Sequence, residues 1–216
     1  MTLPLDNALF SITEFDTNVL VPQIHLIAQV QAKTQYAGVI TNADCTKKSF
    51  TLSVVVAPAV QTVLIDVAAA WTADPGFTVV ESGYLSVCCL SGNGGQTIKI
   101  SNNSGVLLDN TALRAGQIVT LTLLRPGTHL LADTTGGATC SVTVSYPTTP
   151  LPTGTVPVTL APVTAGQTPT VMSPATVTVV PPQPIVVTVL DGTRLTTTLQ
   201  AITDRVNGKL ATKPLI

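Results

Sequence analysis

Apolar and polar residues alternate along much of this chain, and that alternation predicts strands. Between Ser49 and Tyr146, the segments 50–57, 61–68, 77–81, 84–90, 96–101, 117–124 and 139–146 all read this way. In Cys140-Ser-Val-Thr-Val-Ser-Tyr the apolar set faces one way, and Ser141, Thr143 and Ser145 face the other. Turn residues separate the segments: Asp74-Pro-Gly, Ser82-Gly, Gly92-Asn-Gly-Gly, Arg125-Pro-Gly and Thr135-Gly-Gly. Short strands at this spacing predict an all-β fold, an antiparallel β-sandwich or small barrel. No helix longer than about three turns is expected between residues 50 and 146.

The flanks read differently and suggest four regions. Residues 1–48 form an N-terminal segment whose apolar residues fit helix and strand periods alike, with a boundary at Pro22. Residues 49–146 form the β domain. Residues 147–184 are dense in Pro, Thr and Val, and no charged residue lies between Asp133 and Asp191. Prolines favour extended chain. Alternation in Thr155-Val-Pro-Val-Thr-Leu and Ala175-Thr-Val-Thr-Val-Val favours an arm pinned on neighbouring subunits over a free stalk. Residues 185–216 read as a strand followed by a short helix. There Leu195, Leu199, Ile202 and Val206 fall at spacings of 4, 3 and 4, an apolar seam on one helical face. Asp191 or Thr193 would cap its start and Gly208 its end. Alone this helix is marginal, so the four residues are expected at or near an oligomer interface.

Composition narrows the function classes. The 216 residues hold 36 Thr and 28 Val, both β-branched. Charged residues are only 10%, the net charge is −1, and Glu occurs twice, at Glu14 and Glu81. There is no basic surplus to neutralise phosphates, which disfavours nucleic-acid partners. No run of about 18 uncharged apolar residues predicts a membrane span. The first sixteen residues carry acids and no basic n-region, so no signal peptide is expected. A soluble chain normally covers itself with charge. Coverage by other protein subunits is the economical explanation for so neutral a surface.

Candidate chemistry is sparse. The four cysteines, Cys45, Cys88, Cys89 and Cys140, form no CxxC, and only His25 and His129 could join them at a metal. Reduced, buried thiols are expected, although a bridge from Cys88 or Cys89 to Cys140 is geometrically open. Gly92-Asn-Gly-Gly-Gln-Thr lacks the Lys of a phosphate loop and reads as a hairpin turn. No Gly-x-Ser-x-Gly elbow accompanies either histidine. Asp66, Asp74, Asp109 and Asp133 are scattered rather than paired. No catalytic residue, cofactor or metal is assigned, and enzyme or carbohydrate-binding module stands last among the readings.

The C-terminal run, Leu190-Asp-Gly-Thr, Leu195, Thr198-Leu, Ala201-Ile, Asp204 and Val206-Asn-Gly-Lys, resembles accessory virion proteins of tailed bacteriophages. The neutral Thr/Val body and Pro/Thr arm match these proteins in style, and the motif covers about the last 30 residues. The resemblance implies a structural virion protein, first a capsid cement or decoration protein bridging major capsid subunits. Second is a tail-fibre, head-fibre or baseplate component in host attachment. It also implies a homotrimer, and a place in the virion after assembly in the host cytoplasm.

Overall fold

The computed structural model describes residues 14–31, 34–56, 59–71, 73–90, 94–145, 153–162, 170–203, 205–206 and 209–210. In chain order the strands begin with β1 (Glu14–Asp16), β2 (Ile24–Gln29), β3 (Gln35–Thr41), β4 (Lys47–Val55), β5 (Val60–Asp66) and β6 (Gly76–Cys88). They continue with β7 (Thr97–Asn102), β8 (Gly105–Asp109), β9 (Ile118–Leu121), β10 (Gly127–Asp133), β11 (Thr139–Val144) and β12 (Val156–Pro162). The last are β13 (Thr170–Ser173), β14 (Thr176–Val179), β15 (Ile185–Thr188), β16 (Leu195–Ile202), β17 (Arg205–Val206) and β18 (Lys209–Leu210).

Strand accounts for 60% of the chain, no helix occurs among the described residues, and the fold class is a β-solenoid of about five turns. This corrects the expected sandwich or small barrel. Parallel ladders join β4 with β6, β5 with β6 and β11 with β14. Parallel neighbours require the chain to come round before laying down the next strand, as a winding coil does and a hairpin does not. Among the described strands, neither large sheet closes on itself as a barrel does.

The chain divides into two compact units. The first comprises Met1–Asp16, Leu121–Val187 and Leu195–Ile216, and the second Thr17–Thr120 and Thr188–Arg194. In the first, a five-stranded sheet runs β1-β16-β10-β11-β14, with β13, β12 and β15 adjacent in a second sheet. Its inner face follows the period of two: Cys140, Val142 and Val144 of β11 are buried, while Thr143 is exposed. The described parts of the Pro/Thr-rich region pair within the chain itself. Strand β12 lies antiparallel to β13, and β14 extends β11.

In the second unit the order is β9-β2-β6-β4-β3-β7-β8, and β5 pairs with β6 alone. Strand β6 runs through Ser82-Gly83, where the sequence predicts a turn between two strands. Here Ser82 adopts φ 64° and the ladder to β5 jumps from Val79 to Tyr84, so the Ser82-Gly pair makes an irregularity inside one long strand. The core holds Leu20, Ile24, Leu52, Ile65, Leu85 and Ile100, all fully buried. Phe50 packs edge-on against Trp71 and Phe77, with centroids 5.8 and 5.6 Å away. Its ring lies over Gly38, the cross-strand partner, where a Cβ would collide with it.

The expected C-terminal helix is also corrected. Residues Leu195–Ile202 form β16, between β1 and β10. Thr196, Thr197 and Thr198 are β-branched and suit the strand, and two neighbours satisfy its backbone. Gly192 takes φ 74°, which is not helical. Asp191 does not cap a helix: its Oδ1 accepts from the Ala115 amide at 3.1 Å, and Thr193 Oγ1 accepts from the Leu190 amide.

Candidate functional site

Strand geometry takes the predicted seam apart. Leu195 is 1% exposed and Ile202 is 44% exposed. Leu199 is half-buried, and Val206 belongs to the separate strand β17. A register shift between Thr128 and His129 leaves Gln200 without a partner in β10, which further breaks the spacing. The four residues therefore form no single apolar face on a helix.

The titratable groups with sequence interest are structural in placement. His129 on β10 is buried, and its Nε2 lies 2.9 Å from the Arg125 carbonyl oxygen. A carbonyl only accepts, so Nε2 carries the proton, and Nδ1 is buried without a hydrogen-bond partner. Burial pushes the imidazole below its ordinary value, and the Arg125 charge adds to this against the carbonyl's opposing effect. Burial likewise lowers His25. All four cysteines are thiols rather than disulfides; Cys45 is exposed and the others are buried. Burial pushes the Cys88 thiol up to about 11, aided by Asp66 and Cys89. Such a thiol is a poor nucleophile. Asp133 is buried, accepting from the Thr170 hydroxyl at 2.9 Å and the Thr135 amide at 3.1 Å. Asp66 accepts from the amides of Ala68 and Leu90. No group of three or more His, Cys, Asp or Glu that could hold a metal ion occurs among the described residues.

Two surface features remain, both in the second unit. The first is β5. It joins β6 on one side, and no described strand pairs with its other edge. Val60 and Leu64 are 56% and 51% exposed, and Tyr84 on neighbouring β6 is 41% exposed. From Val60 to Ile65 the strand carries no charge and no Pro.

The second is a polar trough beside β3, β7 and β8. A cavity of about 640 Å³ is lined by Gln29, Gln31, Thr34, Tyr36, Asn102 and Arg114 among others. A second, of about 630 Å³, shares Thr34, Tyr36, Asn102 and Ser104 with it, so the two run together. Arg114 is the one charged side chain among the described lining residues. Its loop is held firmly. Gln117 Oε1 accepts from the Arg114 amide at 2.9 Å, and Gln117 Nε2 donates to the Leu107 carbonyl at 2.8 Å. The Gly192 amide donates to Leu113 O at 2.8 Å, beside the Asp191 contact to Ala115. Sequence reasoning missed this trough, because its lining comes from segments far apart in the chain and its polar residues are mostly Gln, Asn, Ser and Thr, which look like ordinary surface. No protein-family model, curated protein or solved structure matches the chain.

Proposed function

We propose that this chain is a structural virion protein that holds neighbouring protein subunits together, as a capsid cement or decoration protein does, and that it self-associates as a trimer. The observation that carries the reading is the edge of β5 that no described strand pairs with. Soluble proteins guard exposed edges with Lys, Pro or a covering element. Here Val60 and Leu64 stand exposed on β5, which carries no charge before Asp66 at its end, and Tyr84 stands exposed on neighbouring β6. A strand edge of this kind is suited to pairing with another subunit. The low overall charge, 10%, supports the same reading, since a surface covered in an assembly needs little charge for solubility. The phage-like C-terminal motif supplies the class of partner, major capsid or other virion subunits, and the virion as the location.

The attachment reading, a tail-fibre, head-fibre or baseplate component, is favoured by the polar trough. Gold-labelled antibody against the chain, applied to purified particles, separates the readings. Label spread over the head supports the cement role, and label at the tail tip or on fibres supports attachment. Particles without label overturn the virion assignment.

A further inference from the structure

We infer that the trough lined by Tyr36, Asn102 and Arg114 is a binding site for a short acidic oligosaccharide, with Arg114 receiving its carboxylate. The inference stands apart from the assembly reading, because it concerns only the chemistry of the trough.

Shape comes first. The two hollows, about 640 and 630 Å³, are shallow and open to solvent rather than enclosed. Because the two share four lining residues, they offer an elongated bed rather than a closed pocket. An extended, chain-like ligand fits such a bed. Polarity comes next. Ligand pockets are usually apolar with a few polar groups, whereas here amides and hydroxyls predominate. Gln31, Ser104 and Gln29 Oε1 offer donors and acceptors, the mixture that sugar hydroxyls need, while Asn102 is held in place by the amides of Ser104 and Gly105 and by its bond to Thr34 Oγ1. Tyr36 is a buried ring whose hydroxyl makes no hydrogen bond to any described residue, and it lines both cavities.

Charge selects the acidic class. The Arg114 side chain is exposed and makes no ion pair among the described residues. No Asp or Glu is among the described lining residues. A guanidinium takes a carboxylate through paired N–H donors. Its backbone is pinned by Gln117, so the ligand need order only the side chain and not the loop. A peptide that adds a strand is the competing occupant for a site beside an edge strand such as β8. The Gln117 amide already occupies the Leu107 carbonyl, an acceptor on β8 that an added strand would need.

The test uses the full chain against three sets of short oligosaccharides, neutral, uronic-acid-containing and sialylated, with tetraglutamate as the peptide probe. Carboxylate-bearing sugars should bind about tenfold or more tightly than their neutral counterparts. Backbone amide shifts should fall at Thr34, Tyr36, Asn102 and Arg114. Arg114→Gln should abolish the preference for acid, with an unchanged circular dichroism spectrum, because the Gln117 contacts are to backbone. Tyr36→Phe should weaken acidic and neutral sugars together and keep the preference between them. The inference is overturned if no acidic sugar binds below millimolar concentration, if neutral sugars bind equally well, or if Arg114→Gln leaves the preference intact. It is also overturned if tetraglutamate binds as tightly as the best sugar.

Discussion

Gly83 shows how tightly single residues are specified in this fold. A Cβ there would sit 2.6 Å from the Gln61 carbonyl oxygen and 2.7 Å from that of Val80. Both are backbone atoms and cannot swing aside. Gly83→Ala should therefore destabilise by about 1–3 kcal/mol in urea unfolding, the usual cost of overpacking. The buried Asp133 carboxylate depends in the same way on Thr170. Thr170→Val keeps the volume and removes the hydroxyl, and should cost about 1–3 kcal/mol, with Thr170→Ser restoring most of it. The histidines set a pH limit. Both are lowered by burial, so the folded chain resists a proton that the unfolded chain accepts near pH 6.5. Above that value both states are neutral and stability is flat. As pH falls through 6.5 the unfolded state gains protons first and stability drops. Urea midpoints measured from about pH 7 to pH 5 should decline, and the His25→Gln, His129→Gln double variant should flatten the decline.

At the scale of elements, β16 separates what the sequence states from what it withholds. The spacing of Leu195, Leu199, Ile202 and Val206 fits a helix, yet Thr196, Thr197 and Thr198 between them prefer a strand. Local pattern could not weigh the two, because the deciding term is the pair of neighbours, β1 and β10, brought in from distant sequence. The strand makes a testable contrast. Leu195→Ala should cost about 2–5 kcal/mol, whereas Ile202→Asp should change stability by less than about 0.5 kcal/mol, both by chemical denaturation. Strands with clean alternation were legible in advance: residues 139–146 contain β11, and 61–68 overlap β5. Strand β10 was not, because Gly127-Thr-His-Leu-Leu-Ala-Asp buries a histidine and an aspartate on its inner face, at positions that read as solvent-facing. The parallel ladders were illegible for a related reason. Period two gives which face is buried, and does not give the direction of the neighbouring strand.

For the whole molecule, exposure of the β5 edge predicts how it associates. Val60→Lys with Leu64→Lys puts charge on both exposed apolar positions of that edge. The double variant should fold normally by circular dichroism and lose self-association in sedimentation analysis. Retained oligomers in that variant would place the contact elsewhere. The scarcity of charge reaches further. The Lys99–Asp109 pair spans 3.7 Å with Lys99 58% exposed, so it lies in the range where solvent leaves little net attraction. At ionic strengths up to about 0.15 M, added electrolyte acts on folds mainly by screening charges, and here there is little for it to screen. The fold of this chain should therefore keep the same urea midpoint between about 0.01 M and about 0.15 M sodium chloride.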